Sequence, residues 1–420
     1  MYVRHTYVYR TIACVVLCFS LGLPLSAADA AEEPELLESQ LDAYLKQQQD
    51  EMAGLAAIIL QKDRVIVRLE GFADIERQIP VDADTIFEWG SVSKLLVWIS
   101  TLQLAESGKV DVEEDILSYL PSDFRTKSSF AKPVTLSNLM HHNAGYDDSF
   151  TDLFLNQQAD VLSLRQVLEQ ADVRQVFPPG EVVSYSNYGS ALAAYVVEEV
   201  SGMDYRDYVR KHIFDPLNMT KTAIDPALND NHWVKEQRRR VQGYTSSRQL
   251  IKPNQLFIPL YPAGSTMGTA GDLQILLESL LAKGGGPLFT NKRTVDQLVT
   301  PSLMYPGTEI PRIASGLFYL PSESQHVFGH GGNTKAFSSA VYIDRNDQIG
   351  VLVLTNSQYD SVYTAGIPEI VFGKYVHSDI ATDLEDASRW TGMYEPARVP
   401  DTVSVKCTDC LSEAVRNRAD

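Results

Sequence analysis

A serine and a lysine three residues apart, Ser91 and Lys94, form the most reactive pattern in the chain. If a helix begins near Ser91, the two side chains emerge on one face about one turn apart. An amine beside a hydroxyl can take the proton of a serine nucleophile without a histidine. Gly90 allows a sharp turn into such a helix. The free N–H groups of the first turn of that helix could stabilise an oxyanion beside Ser91. The pattern therefore predicts nucleophilic catalysis by Ser91.

The surrounding sequence distinguishes this pair from a second Ser-x-x-Lys match at Ser129 and Lys132. About two such matches are expected by chance in a chain of this length, so the spacing alone decides nothing. Pro133 disfavours a helical conformation at the lysine of the second match. The first match is instead followed by the apolar residues 95–99, which are typical of a buried helix. The context selects Ser91.

A second polar segment, Ser-Tyr-Ser-Asn at residues 184–187, precedes a predicted helix. Tyr185 and Asn187 are two residues apart, so in an extended segment their side chains point the same way. The phenol can pass a proton, and the amide can hold a substrate carbonyl. Taken alone, the pair is also explained by a buried tyrosine next to an asparagine that caps the helix.

A glycine-rich segment, Phe-Gly-His-Gly-Gly-Asn at residues 328–333, precedes a predicted strand. Gly331 and Gly332 would let a substrate backbone lie close along a strand edge, and His330 could donate a hydrogen bond to a ligand. A glycine-rich turn with a surface histidine explains the segment equally well.

Two other kinds of hydrolase are disfavoured. His141 and His142 are adjacent, and His326 and His330 are four apart, but no His-Glu-x-x-His frame supplies a metal site. We therefore expect no metal and no other cofactor, and a structural His142 that is hydrogen-bonded to the backbone. Because the chain contains no Gly-x-Ser-x-Gly, the nucleophile turn of an α/β-hydrolase is excluded.

Length and charge limit the classes of protein to consider. With 420 residues, of which 44% are hydrophobic, the chain can bury a substantial core. Its formal net charge of −18 repels nucleic acid and anionic lipid headgroups, so neither is expected as a partner. The short basic run of residues 238–240 is interpreted as a solvated helix end.

The N-terminus resembles a secretory signal peptide over residues 1–30. Arg4 and Arg10 precede an apolar run, and small residues suited to cleavage follow it. The apolar run is short for a membrane span, and Leu17 before Cys18 disfavours lipidation. We therefore predict a secreted or periplasmic protein with no transmembrane span once the signal peptide is removed.

Predicted strands lie at both ends of the chain and predicted helices between them. This order predicts an α/β protein of the α+β type, in which an antiparallel sheet built from N- and C-terminal strands is flanked by helices. The predicted domain covers residues 31–377, with a helical insertion at about 110–300. The polar tail, residues 378–420, resembles the start of a further β unit, and its Cys407 and Cys410 are predicted to form a local disulfide or to be free thiols. The predicted strands are residues 55–61, 65–70, 313–320, 336–343 and 349–354, and the predicted helices are residues 31–50, 91–108, 136–142, 164–170, 187–200, 205–214, 270–281 and 367–376.

Taken in order, three segments resemble the motifs of the serine β-lactamase and penicillin-binding protein superfamily. They are Ser91-Val92-Ser93-Lys94, Tyr185-Ser186-Asn187 and His330-Gly331-Gly332. The Tyr-x-Asn form is similar to the class C branch, which includes DD-peptidases, D-amino-acid peptidases and family VIII esterases. The resemblance extends over roughly residues 35–375, with secondary matches at residues 139–145 and 261–265.

The resemblance implies a β-lactamase/transpeptidase-like fold and acyl transfer through a covalent acyl-enzyme. The acyl donor would be a small molecule or a peptide, including cell-wall peptides. Ser91 would attack the carbonyl while Lys94 and Tyr185 take and return protons. The N–H groups of Ser91 and Asn333 would form the oxyanion hole. The substrate would be bound by Asn187, His330, Gly331 and Gly332.

The identity of the general base stays open between Lys94 and Tyr185. For the lysine to be neutral at pH 7, its pKa would have to fall by about 3 from its reference value, which costs about 4 kcal/mol. Burial and the positive end of its own helix both act in that direction. A tyrosinate stabilised by the lysine cation would serve equally.

One departure from the family pattern bears on the substrate. Many β-lactamases carry Lys-Thr-Gly where this chain has His330-Gly331-Gly332, and that lysine helps to bind a carboxylate. A histidine is mostly neutral at pH 7, so the permanent cation is lost unless Lys335 replaces it. We therefore expect an esterase or a D-peptidase rather than an efficient β-lactamase. The alternative is a non-catalytic receptor or regulator that binds cell-wall peptide or β-lactam in the same cleft.

Overall fold

A computed structural model of the chain describes residues 29–148, 162–254, 257–282 and 286–375. The predicted signal peptide, except for its last two residues, and the predicted tail with Cys407 and Cys410 lie outside the described residues. The strands are β1 (Gly54–Gln61), β2 (Arg64–Asp74), β3 (Ile79–Pro80), β4 (Phe87–Glu88), β5 (Thr222–Ala223), β6 (Met267–Gly268), β7 (Leu303–Met304), β8 (Pro311–Ile313), β9 (Phe318–Tyr319), β10 (Val327–Asn333), β11 (Ser338–Asp344) and β12 (Ile349–Thr355).

The helices are mostly short, and one-turn segments extend or separate them. The α-helices are α1 (Asp29–Gln48), α2 (Lys94–Glu106), α3 (Leu136–Met140), α4 (Leu164–Gln170), α5 (Asn187–Ser201), α6 (Tyr205–Val209), α7 (His232–Arg238), α8 (Ala270–Leu281), α9 (Lys292–Gln297) and α10 (Ser361–Phe372). The tighter 3-10 turns are Gly90–Ser93, Ile116–Ser118 and Tyr261–Ala263, and a π-helical turn at Arg210–Phe214 extends α6.

Both ends of the chain contribute to one nine-stranded antiparallel sheet, in the order β3-β2-β1-β12-β11-β10-β9-β8-β7. The N-terminal strand β1 lies beside β12, with Leu55 opposite Thr355. A hairpin turn at residues 62 and 63 joins β1 to β2, with Gln61 opposite Arg64. A second, three-stranded sheet has the order β4-β6-β5 and lies in the predominantly helical middle of the chain. The predicted fold class, an antiparallel sheet flanked by helices, is confirmed.

The centre of the large sheet is buried on both faces, which explains why β1 reads as one apolar run. Side chains alternate between the faces of a strand. Leu55, Ala57 and Ile59 pack with α1 and α10 on one face. Ile58 and Leu60 pack into the larger core, which includes α2, α5 and α8, on the other. The helix α2 therefore lies inside the core, between the sheet and the helical middle of the chain.

Three predicted elements differ from the structure. The single strand predicted over residues 313–320 is wrong, because Gly316, with φ of +80°, forms a turn that separates β8 from β9. The last helix begins at Ser361, capped by the Asp360 side chain, and not at residue 367. The segment before residue 334, read as a possible turn, is the strand β10. None of the helices in the described part of the chain combines the length and apolar character needed to cross a bilayer.

Candidate active site

Ser91 lies in the 3-10 turn Gly90–Ser93, which runs directly into α2. Gly90 has φ of +49°, a conformation that favours glycine. The Ser93 hydroxyl donates to the Gly90 carbonyl at 2.6 Å and accepts from the Thr266 N–H at 3.1 Å, which fixes the turn. The predicted helix thus starts as a tighter turn, and Ser91 and Lys94 still face the same side.

Lys94 is fully buried, and its Nζ lies within hydrogen-bond distance of at least three oxygen atoms. It lies 3.1 Å from Ser91 Oγ, 2.8 Å from Asn187 Oδ1 and 2.6 Å from the backbone oxygen of Ala263. The two carbonyl oxygens can only accept, so each takes an N–H of the amine. The remaining contact, toward Ser91, is made by an N–H in the charged form or by the lone pair in the neutral form. The geometry therefore suits an exchange of one proton between Ser91 and Lys94.

Asn187, the first residue of α5, is oriented by two neighbours of opposite hydrogen-bonding character. Its Oδ1 accepts from Lys94, and its Nδ2 donates to Asp148 Oδ2 at 3.3 Å. The Asn187 backbone N–H also donates to Asp148 Oδ1, at 3.0 Å. The Asp148 carboxylate can only accept, so Nδ2 must face it and Oδ1 must face Lys94, which gives the amide one possible orientation. Asp148 was missed from the sequence, since no local pattern connects it with a residue 39 positions later.

The alternative explanation of Asn187, that it caps α5, is wrong. The N-cap is Ser186, whose Oγ accepts from the Gly189 N–H at 3.1 Å. The Asn187 side chain therefore points into the site and not onto its own helix.

Tyr185 stands beside the Ser91–Lys94 pair and is half-buried. Its ring centroid lies 4.9 Å from Lys94 Nζ, a cation–π distance. It also lies 4.4 Å from the ring of His142 and 5.9 Å from that of His330. The structure thus brings the phenol of the second segment next to the amine of the first and the imidazole of the third.

His142 supports the segment that carries Tyr185. Its Nδ1 accepts a hydrogen bond from the Ser186 N–H at 3.3 Å, and its carbonyl accepts from the Ser184 N–H at 2.7 Å. The structural, backbone-bonded role predicted for His142 is confirmed. The adjacent His141 points elsewhere and contacts Ser302 Oγ at 2.7 Å. Among the residues that the structure describes, no cluster of three or more histidine, cysteine or carboxylate side chains is placed to hold a metal ion.

The third segment lies in β10, whose end packs directly against the Ser91 turn. A Cβ added to Gly332 would lie 2.3 Å from the Trp89 carbonyl oxygen and 2.9 Å from the Ser91 backbone nitrogen. A Cβ added to Gly90 would lie 2.9 Å from the Asn333 backbone nitrogen. Only glycine fits at these two contacts, and together they bring the N–H groups of Ser91 and Asn333 onto adjoining backbone segments.

One edge of β10 is available beside Ser91. The neighbouring strand β9 pairs with β10 only at Phe328 and Gly329. From His330 onward, β10 has no strand partner on that side among the described residues, while β11 pairs with its other side as far as Asn333. Gly331 is exposed on this stretch, and a Cβ there would have its nearest neighbour at 3.8 Å. The edge suits an extended substrate.

His330 is buried and electrically neutral. Its Nδ1 lies 2.5 Å from the Gly331 carbonyl oxygen, which can only accept, so Nδ1 carries the proton. Burial and the neighbouring Lys94 charge lower the pKa of His330 to about 3, against the smaller opposing effect of the Gly331 hydrogen bond. His330 Nε2 therefore presents a lone pair, contrary to the expectation that it donates to a ligand. The absence of a permanent cation at position 330 agrees with the prediction.

Lys335, considered as a replacement cation, lies in the turn after β10. Its Nζ contacts the backbone oxygen of Lys252 at 3.4 Å. The carbonyl of Ala263, by contrast, is a partner of Lys94 that the sequence did not identify. The segment 261–265 was noted only as a secondary match, and a backbone acceptor leaves no trace in side-chain types.

Comparisons with known proteins agree with this geometry. Penicillin-binding protein 4* of Bacillus subtilis is 24% identical over 330 residues, which cover 72% of this chain and 69% of that protein. A putative D-alanyl-D-alanine carboxypeptidase of Escherichia coli is 23% identical over 400 residues, covering 83% and 91%. The solved structure of a D-amino acid amidase from Ochrobactrum anthropi has a TM-score of 0.64 at 20% identity and covers 81% of this chain and 96% of that one.

The family model described as Beta-lactamase matches residues 41–371. This range contains every strand of the large sheet and all three motif segments. By sequence and by fold, the chain belongs to the beta-lactamase family.

Proposed function

We propose that this protein is an exported serine hydrolase that forms a covalent acyl-enzyme on Ser91 and acts on esters, amides or peptides with D-residues. The contact between Lys94 Nζ and Ser91 Oγ, at 3.1 Å, carries the proposal. Its geometry is set by two carbonyl acceptors, of Asn187 and Ala263, which hold the amine in place. A buried amine so oriented serves proton exchange with the nucleophile better than a surface ion pair would.

In acylation, Ser91 Oγ attacks the carbonyl carbon of the substrate and its proton passes to the Lys94 amine or to a Tyr185 phenolate. The carbonyl oxygen becomes an oxyanion that accepts hydrogen bonds from the N–H groups of Ser91 and Asn333. As the intermediate collapses, the bond to the leaving group breaks. The departing alcohol or amine takes up the proton from the same base, which leaves an ester on Ser91.

In deacylation, a water molecule attacks the acyl carbon and gives its proton to the base. The oxyanion forms again in the same pair of N–H groups, and Ser91 Oγ leaves with the proton as a hydroxyl. The acid product departs and the enzyme returns to its starting state. Each step uses one proton carrier and one oxyanion site, so no further group is required.

The neutral state of His330 supports substrates that have no carboxylate at the third motif. His330 Nε2 is itself buried, so the neutral imidazole offers no cation to a carboxylate, which favours esters and amides over β-lactams. One of the proteins compared is, by its name, a D-amino acid amidase, which supports amides as one substrate class. Export is supported by the basic, apolar and small-residue pattern of residues 1–30, and N-terminal sequencing of the mature protein tests it.

Replacing the nucleophile tests the reaction. We expect Ser91→Ala to abolish hydrolysis of short-chain p-nitrophenyl esters and labelling by a fluorescent acyl probe. Ser129→Ala, at the serine of the second Ser-x-x-Lys match, is the matched control and should label normally. Persistent labelling of the Ser91→Ala protein would exclude Ser91 as the nucleophile.

Intact-mass spectrometry distinguishes an enzyme from a receptor. The wild-type protein is incubated with a panel of esters, D-residue peptides and β-lactams. An acyl adduct or turnover supports the hydrolase. Reversible binding with neither adduct nor turnover would instead establish a receptor that uses the same cleft.

A further inference from the structure

We infer that Arg238 is a positioning residue that holds the two N–H donors of the oxyanion hole, those of Ser91 and Asn333, in a fixed relation; this inference rests on the proposed function. Arg238 ends α7 and is only 2% exposed. Of its two neighbours in the basic run, Arg239 is exposed and Arg240 is half-buried, with side chains 66% and 43% accessible. The interpretation of this run as a solvated helix end is therefore wrong for Arg238.

On one side, Arg238 binds the strand that leads to the nucleophile. Its Nη2 donates to Glu88 Oε1 at 2.7 Å, and both side chains are buried. Glu88 ends β4, three residues before Ser91. The intervening Trp89 is also held, because its carbonyl accepts from Ser339 Oγ at 2.7 Å. A shift of the Glu88 side chain is therefore transmitted to the Ser91 turn through two residues of anchored backbone.

On the other side, the same guanidinium group contacts the hairpin that carries the second donor. Arg238 Cζ lies 4.9 Å from the ring centroid of Phe337, which is fully buried. Phe337 closes the turn between β10 and β11: its carbonyl accepts from the Thr334 N–H at 2.9 Å, and its own N–H donates to Thr334 Oγ1 at 3.2 Å. Asn333 immediately precedes this turn.

Two further hydrogen bonds of Arg238 join these two segments to the chain beyond α7. Its Nη1 donates to the Val241 carbonyl at 2.8 Å, and its Nη2 also donates to the Asn254 carbonyl at 2.7 Å. The planar guanidinium group has fixed donor directions that match these acceptors while one face packs on an aromatic ring. A lysine ammonium group cannot make the same set of contacts.

This arrangement predicts an effect on the transition state more than on substrate binding. An oxyanion is stabilised only by donors at the correct distance from it, and a misplacement of about 1 Å can cost about 100-fold in rate. Loss of Arg238 frees the Ser91 turn and the Asn333 hairpin to move relative to each other. The Ser91–Lys94 hydrogen bond, which lies within one turn of chain, is not affected directly.

The test compares Arg238→Lys with the wild type. We expect kcat for p-nitrophenyl acetate to fall by about 10-fold or more and KM to stay within about twofold. The inhibition constant of phenylboronic acid, whose tetrahedral adduct on Ser91 places an oxygen in the oxyanion hole, should rise by the factor by which kcat/KM falls. Arg210→Lys is the matched control, because Arg210 also bonds a carboxylate, a backbone carbonyl and an aromatic ring. Its kinetics should match those of the wild type.

A purely structural role would lower the thermal midpoint without changing kcat or boronate affinity. The double variant Arg238→Met with Glu88→Gln removes both charges, so no buried charge is left unpaired, and its kcat should still fall. If neither variant folds, Phe337→Leu is tested instead, because it leaves the ion pair intact. Its kcat should fall and its inhibition constant for phenylboronic acid should rise. Retention of kcat and boronate affinity within about twofold in a folded variant overturns the inference. A wild type that forms no adduct on Ser91 instead refutes the proposed function itself.

Discussion

His330 should make the stability of the protein depend on pH, and its replacement by glutamine should remove that part of the dependence. The pKa of His330 falls from 6.5 to about 3 on folding, because the ring is buried and lies near Lys94. Between these two pH values the unfolded chain binds one more proton than the folded chain. Acidification therefore lowers the free energy of unfolding. The contribution of neutral His330 to that free energy is fully present only above the pKa that His330 has in the unfolded chain.

The magnitude follows from the two pKa values. At about pH 5 the unfolded histidine is almost fully protonated while the folded one is neutral, which removes about 2 kcal/mol of unfolding free energy relative to about pH 7.5. Because pH 5 lies well above the folded pKa, this figure depends almost entirely on the unfolded pKa. The loss grows as pH falls further and is complete below about pH 3.

Urea unfolding at these two pH values measures the effect. From about pH 7.5 to about pH 5, the free energy of unfolding of the wild type should fall by about 2 kcal/mol more than that of His330→Gln. The matched control is His232→Gln, since the His232 side chain is 88% exposed, and its pH dependence should be that of the wild type. If the pH dependence of His330→Gln agrees with that of the wild type within about 0.5 kcal/mol, the reasoning about His330 is refuted.

Three further predictions concern the reaction. Short-chain p-nitrophenyl esters should turn over faster than nitrocefin, because neutral His330 supplies no cation for a carboxylate; the opposite ranking in steady-state assays would contradict this. Gly332→Ala should lower kcat by about 100-fold or more, because its Cβ would approach backbone beside the nucleophile to 2.3 Å. The control is Gly271→Ala, whose Cβ has its nearest neighbour at 3.9 Å, and equal kcat values in the two variants would refute the argument. Asp148→Ala should free the Asn187 amide to rotate and slow acylation by about 10-fold in single-turnover assays; an unchanged rate would show that the carboxylate does not orient it.

Much of the site could be predicted because its chemistry is encoded locally. Ser91 and Lys94 are three residues apart in one helical turn, so local backbone geometry alone brings them within 3.1 Å. Tyr185 and Asn187 lie in one short segment, and the glycines around His330 permit close backbone approach. The apolar runs of β1, β11 and β12 likewise indicated a sheet built from both ends of the chain. The resemblance of the three polar segments to known motifs then indicated that they belong to one site.

Other features depend on contacts between residues that are distant in sequence. The orientation of Asn187 requires Asp148, the second acceptor of Lys94 is the backbone of Ala263, and Arg238 is buried only because Glu88 and a distant hairpin surround it. Side-chain types and spacing report backbone conformation over a few residues. Which buried donor meets which acceptor is decided by the packing of whole elements, since every buried polar group must find a partner somewhere in the fold. The amino-acid sequence thus determined the candidate reacting groups, the fold class and the loss of a permanent cation at position 330, whereas tertiary packing alone decided how those groups are held and how far the pKa of His330 falls.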